Sequence, residues 1–81
     1  MDFDSLCNAL IEHIEQDRPE KIDKDTLLLE EEIIDSFVIL GIIVLLEELL
    51  SIEVQPDNLS SDNFASVAIT AKWGLSLVSK G

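Results

Sequence analysis

From Phe37 to Leu46 the chain runs for ten residues without one polar side chain, Gly41 included in the count. That is far short of the 18 or more apolar residues that span a bilayer, so a buried core helix is the expected form. Eighty-one residues make one small domain, 1–81, and a chain this short buries only about 60% of its unfolded surface. Such a helix therefore cannot hide its whole circumference. If Phe37, Leu40, Val44 and Leu46 face inward, then Val38, Gly41 and Leu45 lie along one outward line. Apolar surface left exposed near Ser36 would mark a contact with a partner or ligand.

Around this run the pattern predicts an all-α fold, a small bundle of four helices: three longer ones and one short. The first extends from about Asp2 or Asp4 to Gln16, because Phe3, Leu6, Cys7, Leu10, Ile11 and Ile14 recur at three- and four-residue spacing. Asp17-Arg18-Pro19 should close it, since proline cannot continue the ladder. A long connection follows from Pro19 to Ile34, with Ile22, Leu27, Leu28 and Leu29 as anchors against the core. Loops of this length are commonly functional. The second helix spans Ser36 to about Leu50 and ends on Glu47 and Glu48, where the dipole disfavours anions. Ile52-Glu53-Val54 reads as an extended connector and Pro56-Asp57-Asn58-Leu59 as a turn. A short helix begins at Ser61-Asp62-Asn63-Phe64, capped by Ser60 or Ser61. Ser66 caps the last helix, Val67 to about Val78, in which Val67, Ala71, Leu75 and Val78 form one stripe and Ile69, Trp73 and Leu77 another.

Charge narrows the functional classes. Seventeen acids against five bases give a net charge of −12, and 12 of the acids lie within residues 1–35. Nucleic acid is an unfavourable partner, because phosphate binding needs clustered Lys and Arg. An anionic membrane surface is disfavoured for the same reason. The acids either keep the protein soluble or steer basic partner surfaces, and one use does not exclude the other. A 47% hydrophobic content is enough for a core and argues against disorder. No basic n-region or small-residue cleavage site follows Met1, which sets a cytoplasmic protein as the expectation; a monomer is expected as well.

Catalytic material is scarce. Cys7 is the single cysteine and falls on the apolar stripe of the first helix, where a free thiol behaves as a small hydrophobe. His13 is the single histidine, expected at the surface among Glu12, Glu15 and Asp17. Asp23 and Asp25 do not make a calcium loop, because the turn glycine and the terminal glutamate are missing. No metal site is expected, and an enzyme in its own right ranks last.

Asp35-Ser36-Phe37 remains. It sets a serine hydroxyl where a loop turns into a helix, between Glu30-Glu31-Glu32 and the apolar run. Helix starts carry unpaired N–H groups and favour negative charge, so a phosphodiester on that oxygen would be well placed. Either residue would also serve as a plain helix cap.

At Ile33-Ile34-Asp35-Ser36-Phe37 the chain resembles the acyl carrier and peptidyl carrier protein superfamily. The likeness continues through Thr26-Leu27-Leu28-Leu29, Leu45 to Val54, Pro56-Asp57-Asn58-Leu59, Asn63-Phe64 and Ser66-Val67, which covers nearly the whole chain. The resemblance implies that Ser36 carries a covalent 4′-phosphopantetheine arm, placed by a phosphopantetheinyl transferase using coenzyme A. It implies a stand-alone, non-catalytic carrier that holds acyl or aminoacyl groups as thioesters between a loading ligase and downstream synthases or transferases. Asp35 would present Ser36 or engage the transferase and its metal ion. Phe37, Val38, Leu40, Gly41, Val44, Glu47 and Glu48 would meet partners. Two departures stand out: Glu32 and Ile33-Ile34 precede the pair where fatty acid synthesis carriers often have glycine, and Phe37 to Leu46 lacks their acids. The Ile-Ile-Asp-Ser form looks more like carriers of D-alanyl or aminoacyl transfer and of specialised metabolism. The competing expectation is an unmodified, carrier-like acidic adaptor that docks a protein.

Overall fold

Asp2 opens the first helix as its N-cap: its Oδ1 accepts the N–H of Ser5 at 2.8 Å, and that bond holds the Asp2 carboxyl below its ordinary range. The computed structural model describes residues 1–16, 21–55 and 60–80. The expected stops at Asp17-Arg18-Pro19 and Pro56-Asp57-Asn58-Leu59 lie outside the described residues. The order is α1 (Phe3–Glu15), α2 (Ser36–Leu50), a 3₁₀ turn (Ser61–Phe64) and α3 (Val67–Lys80). Among the described residues there is no strand, and no helix is long and apolar enough to cross a membrane. The all-α expectation holds with three α-helices; the short element is one 3₁₀ turn, capped by Ser60 through Asp62 N–H at 3.3 Å.

α1 buries the expected face, with Leu6, Cys7, Leu10 and Ile14 inside and Phe3 and Ile11 packed at its edge. It lies most extensively on α3, while α2 touches both. α3 presents Val67, Thr70, Ala71 and Gly74 to the core. Ile69 and Val78, placed in the stripes above, are instead exposed. The seam uses two residues that the apolar pattern passes over. Buried Thr70 donates its hydroxyl to the carbonyls of Asn63 at 2.8 Å and Ser66 at 2.9 Å, which ties the 3₁₀ turn to the helix. Gly74 lets α2 close in, since a Cβ there would stand 3.1 Å from Leu46 Cδ2 and 3.3 Å from Leu50 Cδ1. Ser66 caps α3 as expected, accepting Ile69 N–H at 3.2 Å.

α2 differs in part from the sequence expectation: Leu46 faces inward as expected, but Phe37, Leu40 and Val44 do not, and Val38 and Leu45, expected on the outward line, pack against the core. Ile42, Ile43 and Leu46 are its buried residues, with Ile39 and Leu50 packed against the core beside them. Phe37, Leu40 and Val44 point to solvent, at 83%, 60% and 52% exposure. The reason lies further along the helix. Burying Val44 would draw in Glu48 one turn on, whereas burying Ile43 draws in Glu47, whose Oε2 accepts Val54 N–H at 3.0 Å.

The long connection is stitched down. Leu28 N–H donates to Ala65 C=O at 2.9 Å, and Ala68 N–H, an orphan of the first turn of α3, donates to Lys24 C=O at 2.9 Å. Leu28 is fully buried and Ile22 nearly so, but Leu27, expected as an anchor, is 46% exposed. Asp23 and Asp25 belong to a local turn in which Asp23 Oδ1 accepts from Asp25 N–H at 2.8 Å and Thr26 Oγ1 donates to it at 3.2 Å.

The α2–α3 seam yields a prediction. Gly74→Ala stays within about 1 kcal/mol of the parent, because its gain in helix propensity, also about 1 kcal/mol, opposes the crowding of the two leucines. Gly74→Val overpacks the seam and lowers stability by about 2 kcal/mol. Urea unfolding checks both; a valine variant as stable as the parent would mean that the seam is not close-packed.

Candidate functional site

The chain reaches Ser36 by way of a turn and two anchors. Glu31 N–H bonds Leu27 C=O at 3.0 Å, Glu32 N–H bonds Leu29 C=O at 3.1 Å and Ile33 N–H bonds Leu28 C=O at 2.9 Å. Glu32 closes this turn in the left-handed region, φ 56°, which is uncommon for a residue with a side chain. Ile33 and Ile34 are then buried at 8% and 6% exposure, which holds the backbone just before the helix against the core.

Asp35 and Ser36 divide the work at the helix start. Asp35 is extended, at φ −128° and ψ −173°, and its Oδ1 accepts Val38 N–H at 3.0 Å, while its carbonyl takes the N–H of Ile39 at 2.9 Å. The cap is therefore Asp35. Ser36 is the first helical residue and is exposed. Its hydroxyl stands at the end of a 15-residue helix whose first turn contains no acid, where the macrodipole favours an anion.

The seven residues expected to meet partners separate into three places. Phe37, Leu40, Val44 and Glu48 are exposed on the outward side of α2. Val38 and Gly41 are half-buried and line a cleft of about 270 Å³ between α1 and α2. Glu47 is half-buried and occupied within the chain: its Oε2 accepts Val54 N–H at 3.0 Å, and its carbonyl accepts Ile52 N–H at 3.2 Å. It fastens the extended connector after α2 rather than facing outward.

His13 is a correction. It is half-buried, not a surface residue, and its imidazole lies over Gly41, where a Cβ would come to 3.0 Å of Nε2. A helix with a side chain at position 41 would push the ring away; glycine admits it. With Gln16, Ile14 and Ile33 it completes the cleft, whose rim carries the ring of Phe37. None of His13, Gln16, Ile14 or Ile33 had been expected at the site. A glycine inside an otherwise apolar helix was the available signal, since such a glycine commonly marks a close approach. Cys7 stays in the core as expected, and burial pushes its thiol up, away from the reactive thiolate. Among the described residues no cluster of His, Cys, Asp and Glu is arranged to hold a metal ion.

Comparison with protein-family models and with curated proteins gives no match.

The geometry at the helix start predicts a clean separation. Asp35→Ala lowers stability by about 1 kcal/mol, the usual worth of an N-cap. Ser36→Ala stays within about 0.5 kcal/mol, as a surface residue outside the capping bond should. Thermal or urea unfolding decides, and equal losses would mean that the serine shares the cap. Glu32→Gly should hold or raise stability by up to about 1 kcal/mol, because relief of the left-handed strain exceeds the entropy cost of glycine.

Proposed function

We propose that the protein is a stand-alone acyl or aminoacyl carrier, non-catalytic by itself, whose Ser36 is esterified by 4′-phosphopantetheine. The observation that carries this reading is an exposed serine hydroxyl at the positive end of α2, released from capping because Asp35 does that work. The resemblance at Ile33-Ile34-Asp35-Ser36-Phe37 supports it, and the 3₁₀ turn Ser61–Phe64 then stands for the short third helix of a four-helix carrier bundle.

The residues present suit the group. When bound, the arm supplies a terminal thiol that holds cargo as a thioester. Ser36 offers an oxygen open to a separate transferase, and the start of α2 favours the single negative charge of a phosphodiester. Buried Ile33 and Ile34 keep that oxygen from drifting, so each partner meets it in one place. Asp35 holds the helix start and, as an exposed carboxylate beside Ser36, is placed to meet the transferase and its metal ion. The two roles proposed for it are compatible. Cys7, buried among Leu6 and Leu10, takes no part. Loading ligases and downstream synthases or transferases would read Phe37, Leu40, Val44 and Glu48, and the −12 charge would draw in partners with basic surfaces. A cytoplasmic monomer serving D-alanyl or aminoacyl transfer, or specialised metabolism, is the setting we favour.

The exposed face of α2 also favours a second reading, an unmodified adaptor that docks a protein through Phe37, Leu40 and Val44. One experiment separates the two. Incubation with coenzyme A and a broad-specificity phosphopantetheinyl transferase should raise the intact mass by a single arm, and Ser36→Ala should abolish that increment while the chain stays folded. A chain that keeps its original mass, together with a Ser36→Ala variant fully active in its cells, would leave the adaptor as the answer.

A further inference from the structure

We propose that the outer face of α3 is a second docking surface, separate from Ser36, for an acidic partner segment. That segment sets a carboxylate against Lys72 and the Trp73 indole N–H, and an apolar side chain against Ile69. This surface is independent of the carrier reading.

All 17 acids of the chain lie at or before Asp62, whereas residues 63–81 hold Lys72 and Lys80 and no acid. A protein of net charge −12 thus contains one helix whose own side chains carry no negative charge. Asp17, Glu20 and Asp57 lie outside the described residues, so the acid-free character is that of α3 itself.

Ile69, Lys72, Trp73 and Ser76 stand at i, i+3, i+4 and i+7, which makes them neighbours on one helix surface. Ile69 is 43% exposed, Lys72 and Ser76 are exposed, and Trp73 is half-buried. Gly74 meets Leu46 and Leu50 of α2. At 3.6 residues per turn, Ile69, Lys72 and Ser76 lie roughly 140–160° around the helix from that glycine. The face therefore points away from α2, and a protein docked there leaves Ser36 and Phe37 in the open.

The polar groups of the face select its occupant. Among the described residues Lys72 has no ion-pair partner, and the Trp73 indole N–H has no acceptor and is not buried. The Ser76 hydroxyl donates to the Trp73 carbonyl at 2.6 Å. An ammonium and an indole N–H are both donors, and a carboxylate complements both. One lysine is too few for a phosphate backbone or an anionic bilayer, which favours a peptide carboxylate. The ring is already held, edge-on to buried Phe64 with centroids 5.3 Å apart and planes at 70°. A fixed ring loses little freedom on binding, and tryptophan is a frequent anchor of interfaces for that reason. The acids elsewhere oppose an anion at long range, but charges beyond ~8 Å are largely screened at physiological ionic strength, so the local donors decide.

The test uses the isotope-labelled full chain and two blocked amphipathic peptides, one with Glu and Leu along one face, the other with Lys in place of every Glu. Trp73 is the only tryptophan, so its fluorescence and its indole N–H resonance report on this face alone. The Glu peptide is expected to move both saturably, together with the amides from Ile69 to Ser76, and to leave the Phe37, Leu40 and Val44 amides in place. Lys72→Glu and Ile69→Ser, both at exposed positions, should each weaken that binding by about tenfold while circular dichroism stays that of the parent. Lys72→Arg should retain it. The Lys peptide should leave the indole resonance unmoved. No response to the Glu peptide, an equal response to both peptides, binding that survives both substitutions, or shifts centred on Phe37 to Val44 overturns the proposal. A blue shift of Trp73 fluorescence on vesicles of equal phosphatidylcholine and phosphatidylserine, without a response to the Glu peptide, assigns the face to lipid and overturns it as well. Each of these outcomes is separate from the mass increment at Ser36, on which the carrier reading stands or falls.

Discussion

The backbone hydrogen bond from Leu28 to Ala65 is the constraint on which the rest of the structure depends. It joins the middle of a long connection to the residue just before α3, and Ala68 to Lys24 repeats the stitch one turn later. Between them Leu28 loses all of its exposed surface, worth about 1.5–3 kcal/mol of hydrophobic stabilisation. Without these bonds the segment from Lys21 to Ile34 would keep its local turns, its apolar contacts and the ties of Glu15 to Lys21 and Ile22, but no backbone bond to the start of α3. With them, a loop behaves as a fixed part of the core. Glu15 adds a tie at the other end, its Oε2 accepting Ile22 N–H at 2.8 Å.

Most of the elements were legible because they follow from periodicity and punctuation. The stripe of α1 and its acidic cap, the start of α2 after Asp35, and the serine caps at 60 and 66 are local signals that act within one turn. The orientation of α2 was not read correctly from the same residues. Ten apolar positions in succession carry no period, so the run itself cannot say which side goes inward. The deciding residues lie outside it: Glu47 and Glu48 continue the helix, and Ile39, Ile42, Ile43, Leu46 and Leu50 form a stripe that leaves Glu48 exposed and holds Glu47 half-buried at its edge. Charges at the end of an apolar helix set its phase, and here they leave Phe37, Leu40 and Val44 in water.

What escaped the sequence is polar contact made around helix ends and close approach between helices. Thr70 is polar and yet buried, because two carbonyls, of Asn63 and Ser66, accept its hydroxyl. Glu47 reads from sequence as a partner-facing acid and instead secures Val54. His13 sits among acids in the sequence but packs on a glycine 28 residues away, 41 minus 13. The first two contacts reach four to seven residues around a helix end; the third needs the relative placement of two helices, and Gly41 signals that approach without naming its partner.

The same contacts leave the Ser36 end of α2 exposed while the backbone before it is held against the core. The residues of α2 and of the approach to it carry separate structural tasks. Asp35 caps, Glu32 turns, Ile33 and Ile34 anchor, Gly41 accepts His13, and Glu47 holds the connector. Ser36 and Phe37 are exposed and stand outside these arrangements. A hydroxyl without a structural task can be covalently changed without loosening the fold, because no native bond must break first. A cap could not be changed so, since its acceptor oxygen is already engaged. The division between Asp35 and Ser36 thus matters more than the dipeptide itself: it puts the capping bond on one residue and leaves the exposed hydroxyl of the next outside it.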